Sequence, residues 1–315
     1  MIQDYEKMML IRVFEESLCP HIESGEISTP CHLYIGQEAT AVGVCSNLNE
    51  ADLIWGNHRS HGHYLAKGGD TAKLMDEIFC KSTGCSGGRG GSMHIIDKSK
   101  GIYGTVPIVA GTVALGIGSS LSMKLNSTDD ISVVFIGDGA TEEGHVIESI
   151  NMAALYNLPT LFVIENNLYS SHMHMTERRR EHDLQKIGLM HGVPTVRVDG
   201  NDVRDVKNIS KEMIDDLRSG NGPAIIEAMT FRFRGHVGHR WDEDVGVKRK
   251  DELSEWLKKD PLLIEKDRLL SDGVKRADLD KVDSEILHSI EEMVSKARKA
   301  SFPNDEDITK HVFSG

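Results

Sequence analysis

The chain has 315 residues, 39% hydrophobic and 27% charged, and its 36 basic and 49 acidic side chains give a net charge of −13. That length allows a sizeable core, and the acidic balance argues against a nucleic-acid partner, whose phosphates are normally met by a basic surface. No run approaches the roughly 18 apolar residues of a membrane span. The opening stretch MIQDYEKMMLIRVFEESL carries acids and lacks the apolar centre of a signal peptide, and the five cysteines form no CxxC pair. A cytoplasmic chain with reduced thiols and no membrane contact is expected.

Residues 3–24 place Tyr5, Met8, Met9, Ile11, Arg12 and Phe14 at helical spacing, which predicts an amphipathic helix with both methionines in the core. Residues 31–48 read as a turn into a helix of small residues. KSTGCSGGRGG (81–91) reads as a loop that approaches something closely or takes positive φ. Residues 111–125 read as a tightly packed helix.

The pattern then becomes regular. ISVVFI (131–136), TLFVIE (160–165), TVRVDG (195–200) and PAIIEAMTF (223–231) read as buried strands. Helices over 142–156, with Val146, Ile150 and Ala154 on one stripe, and at about 183–190 and 202–218 separate them. Apolar strands alternating with helices predict an α/β fold, a parallel sheet covered by helices on both faces. Charged helices such as 277–301 follow. One domain over 1–315 is expected, with a core at about 30–235 and a helical C-terminal tail over 251–315.

Ligands of such sheets bind at the carboxyl ends of the strands. GDG (137–139) ends one strand and ENN (165–167) ends the next, with 26 residues between Gly139 and Asn166. A crossover helix and a second strand take about that length, so Asp138 and Asn167 are predicted to meet at one sheet edge. A carboxylate and an amide carbonyl are oxygen donors suited to Mg²⁺ or Ca²⁺, and such a cation would hold phosphates. The helix start after GDG adds amide donors. A lone GDG is more often a strand–helix turn with its aspartate as the cap. The pair at this spacing, on consecutive apolar strands, is far more specific.

GDG, 26 residues, then NN resembles the thiamine-diphosphate signature. The stretch GDGATEEGHVIESINMAALYNLPTLFVIENNLYS resembles the α subunit of the E1 component of 2-oxoacid dehydrogenase complexes, a family that includes pyruvate, branched-chain and acetoin dehydrogenases. EKMMLIRVFEE, CHLYIGQEA, HRSHGHYLAKG, GCSGGRGGSMH and FRGHVG match in order, so the resemblance covers nearly the whole chain.

The resemblance implies a thiamine-diphosphate-binding fold. It implies Mg²⁺ held by Asp138, Asn167 and the main-chain carbonyl of Tyr169. It places the diphosphate against the amides of Gly139 and Ala140, the Arg59 guanidinium and His236. It places His32 and His61 at the active-site channel and assigns the aminopyrimidine ring to the backbone around Ala110 and Thr112. It further implies a β subunit that supplies the activating glutamate, an α2β2 assembly, a 2-oxoacid or acetoin as substrate, and acyl transfer to lipoamide on an E2 protein. A carboligase or transketolase-like enzyme without a lipoyl partner would use the same cofactor site. A Rossmann dehydrogenase would need GxGxxG in a strand–turn–helix setting, which the glycine-rich stretches do not supply.

Some positions depart from the family. His58 stands where tyrosine usually precedes the arginine, and Ala110 stands where glycine is common. Val237 replaces the serine that mammalian kinases modify, and GHVGHRWDED is not the usual pattern after the histidine. Other polar groups read as bland. His58, His61 and His63 lack an evident fourth zinc ligand. His172 and His174 read as a solvated loop, Arg178–Arg180 as a solvated or interface charge run, and Gln37 and Glu38 receive no role.

Overall fold

The structure, a computed structural model of the chain, describes residues 2–243 and 249–310. Among the described residues eight strands form in chain order: β1 (Leu53–Gly56), β2 (Ile102–Thr105), β3 (Ser132–Gly137), β4 (Thr160–Asn166), β5 (Tyr169–Ser170), β6 (Met173–His174), β7 (Thr195–Asp199) and β8 (Ala224–Met229). Six build one sheet in the order β2-β1-β3-β4-β8-β7, and every pairing in it is parallel. β5 and β6 make a small antiparallel hairpin. The expected α/β fold with helices on both faces is present.

The central strands are apolar along their length because both faces are covered. Side chains alternate between the faces. Val133, Phe135, Leu161 and Val163 enter one core with Phe14, Val42 and Val206. These last three come from helices Ile2–Glu23, Glu38–Cys45 and Val203–Arg218. Val134, Ile136, Phe162 and Ile164 enter a second core with Val113, Ile117, Val146 and Ile150 of helices Val113–Leu125 and Gly144–Leu155. On the latter helix Ala153 is buried, and the predicted stripe member Ala154 is only partly so.

Three C-terminal helices follow, Lys250–Leu257, Pro261–Ser271 and Arg276–Lys299, and the last two lie against the N-terminal helix. The Tyr5 hydroxyl donates to Asp283 at 2.8 Å, and Arg12 pairs with Asp260 at 2.9 Å and Glu38 at 2.6 Å. Asp260 also caps helix Pro261–Ser271, accepting from the Leu262 amide, with proline in the first turn where its missing N–H costs nothing. Among the described residues no helix is long and apolar enough to cross a membrane.

All six strands of the main sheet point the same way, so their carboxyl ends share one edge. Gly137 pairs with Glu165, and Asn166 with Met229. The GDG and ENN turns therefore leave adjacent strands at the same level. A second loop, over residues 31–37, is pressed onto this edge through Gly36. Gly36 has φ +99°, and a Cβ there would lie 2.4 Å from the Phe231 carbonyl oxygen. Gly36→Ala is expected to lower stability by about 2–5 kcal/mol through strain and overpacking. A fall in melting temperature checks this; an unchanged one would contradict the packing described.

Candidate functional site

The carboxyl edge encloses a cavity of about 270 Å³. Of the sequence-predicted site residues, Asp138, Gly139, Ala140, Asn167 and Tyr169 line it from the β3 and β4 turns. Arg59 enters from the turn after β1, Ala110 from the loop after β2, His236 from the loop after β8, and His32 from the 31–37 loop. Residues more than 200 positions apart in sequence are thus brought together.

Two predicted residues are placed elsewhere. His61 is fully buried, with Nδ1 3.0 Å from Glu15 Oε1 and Nε2 2.9 Å from Ser92 Oγ, and it does not line the cavity. Helix His61–Ala66 begins at this residue and turns it into the core. Thr112 is buried below the wall, its hydroxyl donating to the Gly56 carbonyl at 2.8 Å.

At one side of the cavity Asn57 folds the chain back. Its Oδ1 accepts from the Arg59 amide at 2.7 Å, a local turn that asparagine favours. Arg59 is 5% exposed, and its guanidinium donates to the Leu33 carbonyl at 2.7 Å and the His236 carbonyl at 3.0 Å. Among the described residues no carboxylate lies within ion-pair reach of it. Burial pulls its pKa down to about 10, which leaves it a cation at neutral pH. A second buried cation, Arg232, meets Asp242 only at 3.9 Å. Buried charges are normally paired, so this wall of the cavity suits an anion.

His32, His58 and His236 cluster here, with ring centroids 4.6, 5.0 and 5.5 Å apart. Their ring nitrogens come within 4.8 Å of one another, a spacing that could gather a metal ion. The neighbouring Arg59 and Arg232 oppose a divalent cation at that point. The zinc grouping considered from sequence, His58 with His61 and His63, is not assembled. His63 instead lies 2.8 Å from Glu165 Oε1, which also accepts from the Tyr34 hydroxyl.

Burial, reinforced by Arg59, pulls His32 down to about 3, His58 to about 2 and His236 to about 3. Each folded value lies below the ordinary 6.5, so folding favours the neutral ring. The resulting stability is fully present above pH ~6.5 and is lost as pH falls from there toward the folded values. The melting temperature of the cofactor-free protein is expected to fall less steeply from pH 6.5 to pH 5 in His58→Phe than in the wild type. Equal slopes would contradict a half-buried His58 held neutral by its surroundings.

At the other side Asp138 is 1% exposed, and burial pushes its carboxyl up to about 6 against the pull of Arg178. Arg178 pairs with Asp138 Oδ2 and with Glu142. Arg178 is therefore not part of a solvated charge run: its side chain is 6% exposed. The neighbouring Arg179 donates to Thr141 at 2.9 Å. The turn at GDG is capped by no side chain, so Asp138 is not serving as the helix cap.

The Asn167 amide nitrogen donates to Gln37 at 2.9 Å, and Gln37 is fully buried at the cavity wall. Sequence reasoning gave Gln37 no role, and its only signal was its place five residues after His32. Leu168 (φ +71°) and Ala110 (φ +57°) hold left-handed backbone that costs non-glycine residues of order 1–3 kcal/mol. At Ala110 this accounts for the preference for glycine noted above.

The sequence has counterparts among known proteins. The sequence profile of the dehydrogenase E1 component family matches residues 6–306. The chain belongs to that family. It is 39% identical to the α subunit of acetoin:2,6-dichlorophenolindophenol oxidoreductase of Bacillus subtilis, over 98% of this chain and 92% of that one. It is 36% identical to the pyruvate dehydrogenase E1 component α subunit of Rhizobium meliloti, over 98% and 88%. It is 35% identical to the corresponding α subunit of Zymomonas mobilis, over 100% and 89%. As an E1-type α subunit the chain is an oxidoreductase subunit, and its relatives' names point to a companion β subunit. E1 dehydrogenases are, as a family, thiamine-diphosphate enzymes.

Proposed function

We propose that this chain is the α subunit of an E1 enzyme that binds thiamine diphosphate and Mg²⁺ and, with a β subunit, cleaves a 2-oxoacid or acetoin and passes the acyl group to lipoamide. One observation carries this reading. Two oxygen-donor side chains, Asp138 and Asn167, leave adjacent parallel strands at one level, and a buried, unpaired Arg59 stands in the same cavity.

The residues fit the group. Asp138, Asn167 and the Tyr169 carbonyl would hold Mg²⁺, whose preference is for oxygen donors. Arg59 would meet the diphosphate with a fork of hydrogen bonds, and the buried cationic wall would gain the anion it lacks. Gly139 and Ala140 would offer main-chain amides. When bound, thiamine diphosphate supplies the electron sink for breaking the bond beside the substrate carbonyl. In the cofactor-free chain His32, His58 and His236 are neutral, and a neutral imidazole offers one N–H donor and one ring-nitrogen acceptor toward a substrate.

The cavity is completed by another chain. Of the described carboxylates that line it, Asp138 is held by Arg178 and Glu165 by Tyr34 and His63. Neither is free to activate the aminopyrimidine ring, which supports a glutamate from a β subunit. Ile108 and Val109, beside the cavity, are 69% and 47% exposed, and Leu115 on the following helix is 52% exposed. Neighbouring exposed apolar groups mark a surface to be covered. An α2β2 assembly served by a lipoylated E2 protein follows from this reading.

Co-expression with the β subunit tests it. The assembled pair, given thiamine diphosphate, Mg²⁺ and an artificial electron acceptor, is expected to turn over a 2-oxoacid or acetoin, and the α chain alone is not. Turnover by the α chain alone would contradict the shared site.

A further inference from the structure

Two residues outside the ligand set grip the two side-chain ligands of the proposed cation site, each by the atom that does not bind. Asp138 presents two carboxylate oxygens, and Arg178 takes Oδ2. Asn167 presents one oxygen and one nitrogen. The Tyr169 amide, a donor only, sits 3.2 Å from Asn167 Oδ1, so the nitrogen is the atom that faces Gln37 Oε1 at 2.9 Å. In both ligands one oxygen is left for a cation, and rotation of the side chain is blocked.

Both grips are themselves anchored. Arg178 ends the short helix Met175–Arg178 that follows the β5–β6 hairpin, and its other branch is held by Glu142. Arg179 fixes the same segment to Thr141 in the GDG turn. Gln37 precedes helix Glu38–Cys45, whose first residue accepts from the Gly36 amide at 3.0 Å and from Arg12 at 2.6 Å. The remaining Gln37 donor, Nε2, is buried without a partner.

We propose that Gln37 and Arg178 are positioning residues of the divalent-cation site: they fix the rotamers of Asn167 and Asp138 so that one oxygen of each faces the ion. This rests on the cofactor reading given above. Partners of this kind orient metal ligands, and their loss costs about 10–100-fold in metal affinity.

The test uses the chain assembled with its partner subunit, stripped of cofactor, with Mn²⁺ as the probe in the presence of thiamine diphosphate. Free Mn²⁺ is counted by electron paramagnetic resonance. Gln37→Met keeps the shape and removes the hydrogen bond; Arg178→Gln removes the charge and the fork. Asp138→Ala removes a ligand and reports on the cofactor reading itself.

Loss of Mn²⁺ binding in Asp138→Ala is expected, with binding at least tenfold weaker in Gln37→Met and Arg178→Gln. An unchanged cofactor-free melting temperature in Gln37→Met separates positioning from packing. Wild-type Mn²⁺ affinity in Gln37→Met and Arg178→Gln, with binding lost in Asp138→Ala, overturns the positioning role and leaves the cofactor reading intact. Wild-type affinity in Asp138→Ala overturns both.

Discussion

Asp138→Asn is expected to lower affinity for thiamine diphosphate in Mg²⁺ by about a hundredfold or more, roughly 3 kcal/mol at 1.4 kcal/mol per tenfold. The substitution keeps the shape of the side chain, so the turn is preserved and the loss reports charge. Two effects act together. The cation loses the one anionic protein ligand proposed for it. Arg178, 6% exposed, keeps its pair with Glu142, so it offers no compensating free charge. The cofactor then meets a site whose cation no longer screens its phosphates from Glu142 and Glu165. Isothermal titration with thiamine diphosphate, with and without Mg²⁺, checks it. An Asp138→Asn protein that binds within threefold of wild type would show that Asp138 is not a cation ligand.

Arg59→Ala is the second large effect, and its sign differs between two measurements. With cofactor, the protein loses a buried guanidinium that would contact diphosphate. Truncating one partner of a buried, hydrogen-bonded charge pair costs about 2–5 kcal/mol, so cofactor affinity is expected to fall by at least ~30-fold. Without cofactor, Arg59 is a buried cation that donates to the Leu33 and His236 carbonyls, with the His236 ring Nδ1 at 3.4 Å, and meets no carboxylate among the described residues. Its removal discharges that site, so the cofactor-free melting temperature is expected to stay level or rise. Arg59→Lys is expected to recover only part of the affinity, because an ammonium lacks the planar fork. A residue retained for folding alone would behave in the opposite way, with lower cofactor-free stability and unaltered affinity.

The sheet was legible where its strands are long and buried on both faces. Residues 131–136, 160–165 and 223–231 read as strands because each centres on an apolar run, at 133–136, 161–164 and 224–226, and their pairing follows from the parallel crossovers. β1 and β2 were not legible. Each has only four residues, too few for a periodicity to stand out. The two-residue strands of the β5–β6 hairpin leave no periodicity at all.

For the site, the meeting of Asp138 and Asn167 was legible because both sit at strand ends of known spacing. The direction in which each histidine of HRSHGHY points was not. One helix start turns His61 and His63 inward and leaves His58 at the cavity. Arg178 looked like surface because three adjacent arginines usually are; its burial depends on a hairpin that carries it back over the GDG turn. Gln37 could be read only once the loop over 31–37 had been placed on the sheet edge.

The most direct test of the account is calorimetric titration of thiamine diphosphate into the chain assembled with its partner subunit, with Mg²⁺ and then with Mg²⁺ chelated. The account predicts one cofactor per α chain with Mg²⁺, and affinity at least tenfold lower without it. Binding that ignores Mg²⁺, or no binding at all, would contradict the role assigned to Asp138 and Asn167.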